Sequence, residues 1–112
     1  MVQPFLKGAI SVLALAAPLC AQSPGAEFFE KEIRPVLAEK CYGCHSSKLK
    51  SPMGGLVLDT KAGVKNGGNG GPILVPGDPK SSRLLKALSY NETDLRMPPS
   101  GQLPDEKIAA FE

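Results

Sequence analysis

The 112-residue sequence has no tryptophan, one histidine, three cysteines and aromatics at only 5%. Each scarcity excludes something. With so few large aromatic side chains, a chain long enough for one small domain builds a thin core. Domains of this size ordinarily need a disulfide, a metal or a cofactor to hold them. A single imidazole leaves no second histidine for general acid–base work. Lys and Arg number 13 against 11 Asp and Glu, scattered along the chain and not interleaved with aromatics. No nucleic-acid surface is encoded by that pattern. The glycine-rich stretch 66–72 (NGGNGGP) is not followed by GK[ST], so it is no phosphate loop. No internal repeat is present, and no βαβ pattern surrounds the cysteines.

What is there begins with an apolar run, Ala9–Leu19 (AISVLALAAPL), behind one positive charge, Lys7. It is too short to cross a bilayer comfortably and reads as an export signal over residues 1–21, cleaved after Ala21. An uncleaved N-terminal anchor is the rival reading. A lipoprotein site at Cys20 fits less well, because Leu19 is not the small residue such processing prefers. Export places the protein in the periplasm or another extracytoplasmic space, with membrane contact only through the signal. Cleavage removes Cys20, leaving Cys41 and Cys44 in an oxidising compartment where idle thiols would be oxidised.

Residues 22–27 read as a linker and 28–112 as the folded domain. Phe29, Ile33, Val36, Leu37 and Cys41 recur at spacings of three and four, predicting an amphipathic helix that runs into CYGCH at 41–45. Pro35 predicts a kink or a displaced start. Residues 46–55 read as loop, 56–58 as a short extended run, 60–65 as one helical turn, and 66–72 as the most flexible stretch. A second helix is expected from Asp78 as cap and Pro79 as first residue, burying Leu84, Leu85 and Leu88. A last helix is expected from Pro104, with Ile108 and Phe111 on one side. It reaches Glu112 after about two turns, so it is expected either to pack firmly or to be the cut end of a longer piece.

The motif CYGCH admits four readings. A redox dithiol needs a βαβ setting. A zinc site needs four ligands, and no Cys or His remains in the mature chain beyond Cys41, Cys44 and His45. A disulfide closing so short a ring stabilises little. Covalent haem attachment uses all three residues: Cys41 and Cys44 as thioether anchors and His45 as proximal iron ligand. For the sixth position the candidates are Met53 and Met97. Met97 is preferred because it lies far along the chain in LRMPPSG, where Pro98 and Pro99 stiffen the loop; its bland reading is a core plug. Tyr90, Arg83 and Arg96 could meet haem propionates, but a core edge for Tyr90 and a solvated face for the arginines are the favoured readings. The apolar wall is expected from Phe28, Phe29, Ile33, Leu37, Leu56, Leu58, Leu84, Leu85, Leu88, Ile108 and Phe111.

Four blocks in order, IRPVLAEKCYGCH, GGLVLDT, GGNGGPILVPGDPKSSRLLKAL and LRMPPSGQLPDEKIAAFE, resemble the Planctomycete-type cytochrome c domain over nearly all of 28–112. The resemblance implies an all-α, class-I-like haem domain, its helices joined by long Gly/Pro-rich loops. It implies one haem c with its iron, anchored by Cys41 and Cys44, with His45 and Met97 as metal ligands. The expectation is an exported monohaem electron carrier, not an enzyme. It needs a redox partner of unknown identity and the haem maturation machinery, and no nucleic acid. The alternatives are a haem-based sensor with an open sixth position, or the N-terminal fragment of a larger multidomain haem protein.

Overall fold

The computed structural model describes residue 4, residues 8–15 and residues 23–112. Residues 8–15 carry no helix or strand and are exposed. The rest of the expected signal, with Lys7, Cys20 and the cleavage point at Ala21, lies outside the described residues. No helix among the described residues is long and apolar enough to cross a membrane.

Helix starts earlier than the expected linker allows. Ser23 caps α1 (Pro24–Phe28) by accepting the Ala26 N–H at 3.2 Å, and Pro24 takes a first-turn position where its missing N–H costs nothing. The chain then winds through a π-helical turn, Phe29–Ile33, into α2 (Arg34–Lys40). That turn is how the helix tolerates Pro35. In an unbroken α-helix the proline ring would strike the carbonyl one turn back. Here the Arg34 N–H reaches Phe29 O, the ladder widens, and α2 restarts with Pro35 in its first turn.

Beyond CYGCH, a 3-10 turn (Met53–Gly55) precedes the extended residues at 56–58. Helix α3 (Lys61–Asn66) follows, capped by Thr60 Oγ1 accepting from Gly63 N at 3.0 Å. Asp78 does cap, but it caps a 3-10 turn at Pro79–Ser81; α4 (Arg83–Ser89) starts behind it. The break lies at Ser82, whose buried hydroxyl accepts Val75 N at 2.9 Å and donates to Asp78 O at 2.9 Å, holding extended backbone there. Helix α5 (Asp105–Phe111) starts one residue later than expected, with Pro104 as its N-cap. Among the described residues there is no strand, only a bridge between Gly68 and Gly71.

The core forms where α2 meets α4 and α5. Val36, Leu88 and Leu103 make one buried group, covered by Leu84, Leu85, Ile108 and Phe111. Leu37, Leu58 and Ile73 make a second, covered by Phe29, Ile33, Leu56 and Val64 among others. Adjacent residues Val36 and Leu37 feed different groups, and Leu84 and Phe111 touch both. Phe28 is exposed and corrects the expected wall, and Leu103 and Ile73 are core residues that helical periodicity did not reveal.

Candidate functional site

The end of α2 sets the cysteine motif. Cys41 and Tyr42 both donate their N–H to Leu37 O at 2.9 Å, and Cys44 N and His45 N return to Cys41 O at 3.2 and 3.0 Å. These successive turns bring Cys41, Cys44 and His45 onto one cavity. Both thiols are free, Cys44 exposed and Cys41 half-buried. Burial pushes the Cys41 thiol up, so it stays protonated at neutral pH.

His45 is oriented from behind. Its Nδ1 lies 3.3 Å from Leu56 O. A carbonyl only accepts, so Nδ1 carries the proton and the Nε2 lone pair is left for a metal. Leu56 is held in register by the Met53 N–H on Cys44 O at 2.9 Å and the Leu58 N–H on His45 O at 3.0 Å. Asp59 ties down the next residues. It accepts Ser47 N at 2.9 Å, Ser47 Oγ at 2.7 Å and Ser46 Oγ at 3.1 Å, bonds that hold its carboxyl below the usual carboxylate range.

The cavity measures about 350 Å³, the size of a small-molecule or cofactor site, and its walls are mostly apolar. Leu56, Leu58, Ile73, Leu84, Ala87, Leu88 and Leu95 line it. Of the expected wall, Phe29, Ile33, Leu37, Leu85, Ile108 and Phe111 instead pack in the core behind it. Another wall is the glycine-rich stretch, which is loop as expected but is hydrogen-bonded in place. Asn69 N donates to Gly54 O at 2.8 Å, and Gly68 N and Gly71 N close a turn on each other's carbonyls at 3.2 and 3.0 Å. A Cβ at Gly67 would come within 2.2 Å of Gly71 O, so this wall is built by backbone-to-backbone contact.

Met97 reaches the cavity because the loop 91–102 caps α4. The last four carbonyls of a helix lack intrahelical donors. In α4 all four find partners: Lys86 O takes Ser89 Oγ at 2.6 Å, Ala87 O takes Met97 N at 3.1 Å, and Leu88 O and Ser89 O take Gln102 Nε2 at 3.2 and 3.1 Å. Tyr90 ends the helix in the left-handed conformation, φ 60°, and its hydroxyl donates to Pro98 O. Met97, Pro98 and Pro99 are thereby set against the cavity, with Met97 38% exposed.

The structure therefore brings Cys41, Cys44, His45 and Met97 together, with Met53 also lining the cavity but 61% exposed. Arg83 lines it too, whereas Arg96 lies over the Tyr90 ring at 5.6 Å. Gln102 and the Gly70 wall are contributions that sequence reasoning missed. A Gln whose amide reaches back over 13 or 14 residues carries no local signature. Among the described residues no group of three or more His, Cys, Asp or Glu assembles as a metal cage. Two free thiols and an Nε2-presenting imidazole on an apolar cavity, with a thioether on the same cavity, fit a covalently held haem.

No curated protein and no solved structure matches the chain. A family model does match, that of Planctomycete cytochrome C, over residues 41–101, more than half of the 112 residues. The matched span holds the cysteine motif, the glycine wall and the Met97 loop. Cytochrome c domains bind haem, with its iron, through covalent attachment of the haem; they transfer electrons and are typically extracytoplasmic. By that match, and with a helical fold and a cavity that suit it, the chain belongs to the Planctomycete cytochrome C family.

Proposed function

We propose that this protein is an exported monohaem c-type cytochrome that carries single electrons. In this reading Cys41 and Cys44 are the thioether anchors, His45 the proximal ligand and Met97 the distal ligand. The observation that carries it is the convergence of those four side chains on one apolar cavity, with His45 Nδ1 committed to Leu56 O.

When bound, the haem iron supplies one-electron exchange between ferric and ferrous states. The chain's own residues hold and tune. Leu56 O fixes the imidazole tautomer, so His45 presents Nε2 at no cost of reorientation. Met97 would hold the iron through its sulfur, a soft neutral ligand, and a His/Met pair would raise the reduction potential relative to two imidazoles. The aliphatic walls exclude water, which disfavours the more highly charged ferric state. This reading needs no residue to act as acid, base or nucleophile, and it is that of a carrier and not of an enzyme. It works with a redox partner protein, and export through residues 1–21 brings it to the haem maturation machinery.

The test is to export the chain in a host competent to mature c-type cytochromes, then extract with acidic acetone. Haem that stays with the polypeptide and gives a c-type α-band in reduced alkaline pyridine is the expected result. A colourless polypeptide, beside a control cytochrome matured in the same cells, overturns the reading.

A further inference from the structure

The cavity carries two cations, Lys40 at the end of α2 and Arg83 at the start of α4, and no carboxylate lines it. Its other titratable groups are Cys41, Cys44 and His45. Lys40 Nζ lies 3.8 Å from the Glu39 carboxylate. Arg83 has no carboxylate within ion-pair distance among the described residues. Arg83 is exposed, as the solvated-face reading has it, but its guanidinium also borders the apolar cavity, where it is a fork suited to a planar oxyanion.

Its position is built. A Cβ placed on Gly70 would meet Arg83 Cζ and one Nη at 3.3 Å and the other Nη at 3.5 Å. Three near-equal distances mean that the flat face of the guanidinium lies against the glycine. Gly70, unlike Gly67 and Gly71, is not held at positive φ, so its backbone does not demand glycine. What the missing side chain leaves is room for the fork. Asn69 lines the cavity beside it, fixed through its N–H to Gly54 O.

We infer that Arg83, seated on Gly70, is a positioning residue that binds a carboxylate side arm of the cofactor, a haem propionate, and so fixes how the ring lies in the cavity. The inference rests on the haem reading above. Pairing neutralises a negative charge close to the iron. Without Arg83 that charge is unbalanced and favours the ferric state.

The experiment compares the haem-loaded parent with Arg83→Gln, Arg83→Lys, Gly70→Ala and Lys40→Gln. Thioether-bound haem per chain is measured first, then the midpoint potential at pH 7. Arg83→Gln is expected to retain haem and to lower the reduction equilibrium constant about threefold, or ~30 mV at 59 mV per tenfold for one electron. Arg83→Lys is expected to recover at least half of that shift. Gly70→Ala, which displaces the guanidinium by a few tenths of an ångström without changing charge, shifts the potential the same way by less. Lys40→Gln removes an equal charge from the same cavity and shifts it by less than half as much. A haem-loaded Arg83→Gln protein at the parent's potential overturns the inference, as does an equal shift from Lys40→Gln. A parent without thioether-bound haem fails at the first measurement, overturning the haem reading and this inference with it.

Discussion

His45 Nδ1 and Leu56 O face each other at 3.3 Å across the first loop of the fold. This contact makes a loop carbonyl part of the site, because it decides which imidazole nitrogen is free. The carbonyl is placed by two glycines just before it, Gly54 at φ 65° and Gly55 at φ 63°, both in the left-handed region. Their surroundings differ. A Cβ at Gly54 meets open space, whereas one at Gly55 lies 2.4 Å from Asn69 Oδ1. Gly54→Ala is therefore expected to cost the left-handed strain alone, about 1–2 kcal/mol. Gly55→Ala costs that and the displacement of Asn69, and it moves Leu56. Urea unfolding of the haem-loaded variants ranks them, and equal losses would show that the Asn69 contact is immaterial.

Met97 and Met53 line the same cavity but are held differently. Met97 N is bonded to Ala87 O in the core helix, and Met53 is exposed on a short turn. Met97→Ala is expected to open the sixth position, so the reduced protein binds carbon monoxide at once and the reduction potential falls. Met53→Ala leaves both unchanged. Fast binding by the unaltered protein would instead favour a ligand-sensing module with an open position.

The parts of this site that were legible in the sequence are those whose chemistry is local. Cys41, Cys44 and His45 fall within one pentapeptide, and the helix before them declares itself by the spacing of Phe29, Ile33 and Leu37. Met97 was legible because two prolines stiffen its loop. Composition alone said little of residues 66–72: glycine runs signal freedom in an isolated chain, yet here the missing side chains of Gly67 and Gly68 admit another backbone and that of Gly70 admits the Arg83 fork. Only the first turn of the entry helix, α1, was hidden, because residues 22–27 read as linker. The kink expected at Pro35 is the π-turn, whereas the Ser23 cap that starts the helix at Pro24 was not read from the sequence. Leu103 became core only through tertiary contact with Val36 and Leu88.

Asp59 gives the loop after the motif a pH dependence. Its carboxylate accepts from Ser47 N–H first, then from the Ser47 and Ser46 hydroxyls, and its pKa is lowered. A carboxyl depressed in the folded state contributes stability above its unfolded value of about 3.9 and loses it as pH falls through the folded value. Asp59→Asn is therefore expected to be less stable than the parent at pH 7. The gap narrows as pH drops from about 5 toward 2.5, because the parent loses the same bonds by protonation. Denaturant midpoints of both haem-loaded proteins across that range test this, and a constant gap would show that the charge of Asp59 is irrelevant.

Gln102 offers the sharpest test of how Met97 is presented. Its amide satisfies Leu88 O and Ser89 O, the last two carbonyls of α4, while Met97 N satisfies Ala87 O on the same turn. The end of the helix and the ligand loop are thus one hydrogen-bonded unit. Gln102→Ala touches neither the cavity nor any cofactor-holding residue, yet it leaves two carbonyls to water. The expected loss is about 1 kcal/mol, since a typical hydrogen bond contributes ~0.5–1.5 kcal/mol and this site is partly exposed. If that loss falls on the ligand loop, the population with Met97 withdrawn rises about fivefold. Carbon monoxide should then bind the reduced variant about fivefold faster, with the thioether-bound haem content unchanged. A variant that loses stability while binding carbon monoxide at the parent's rate would mean that the Met97–Ala87 and Tyr90–Pro98 bonds hold the loop without help from Gln102.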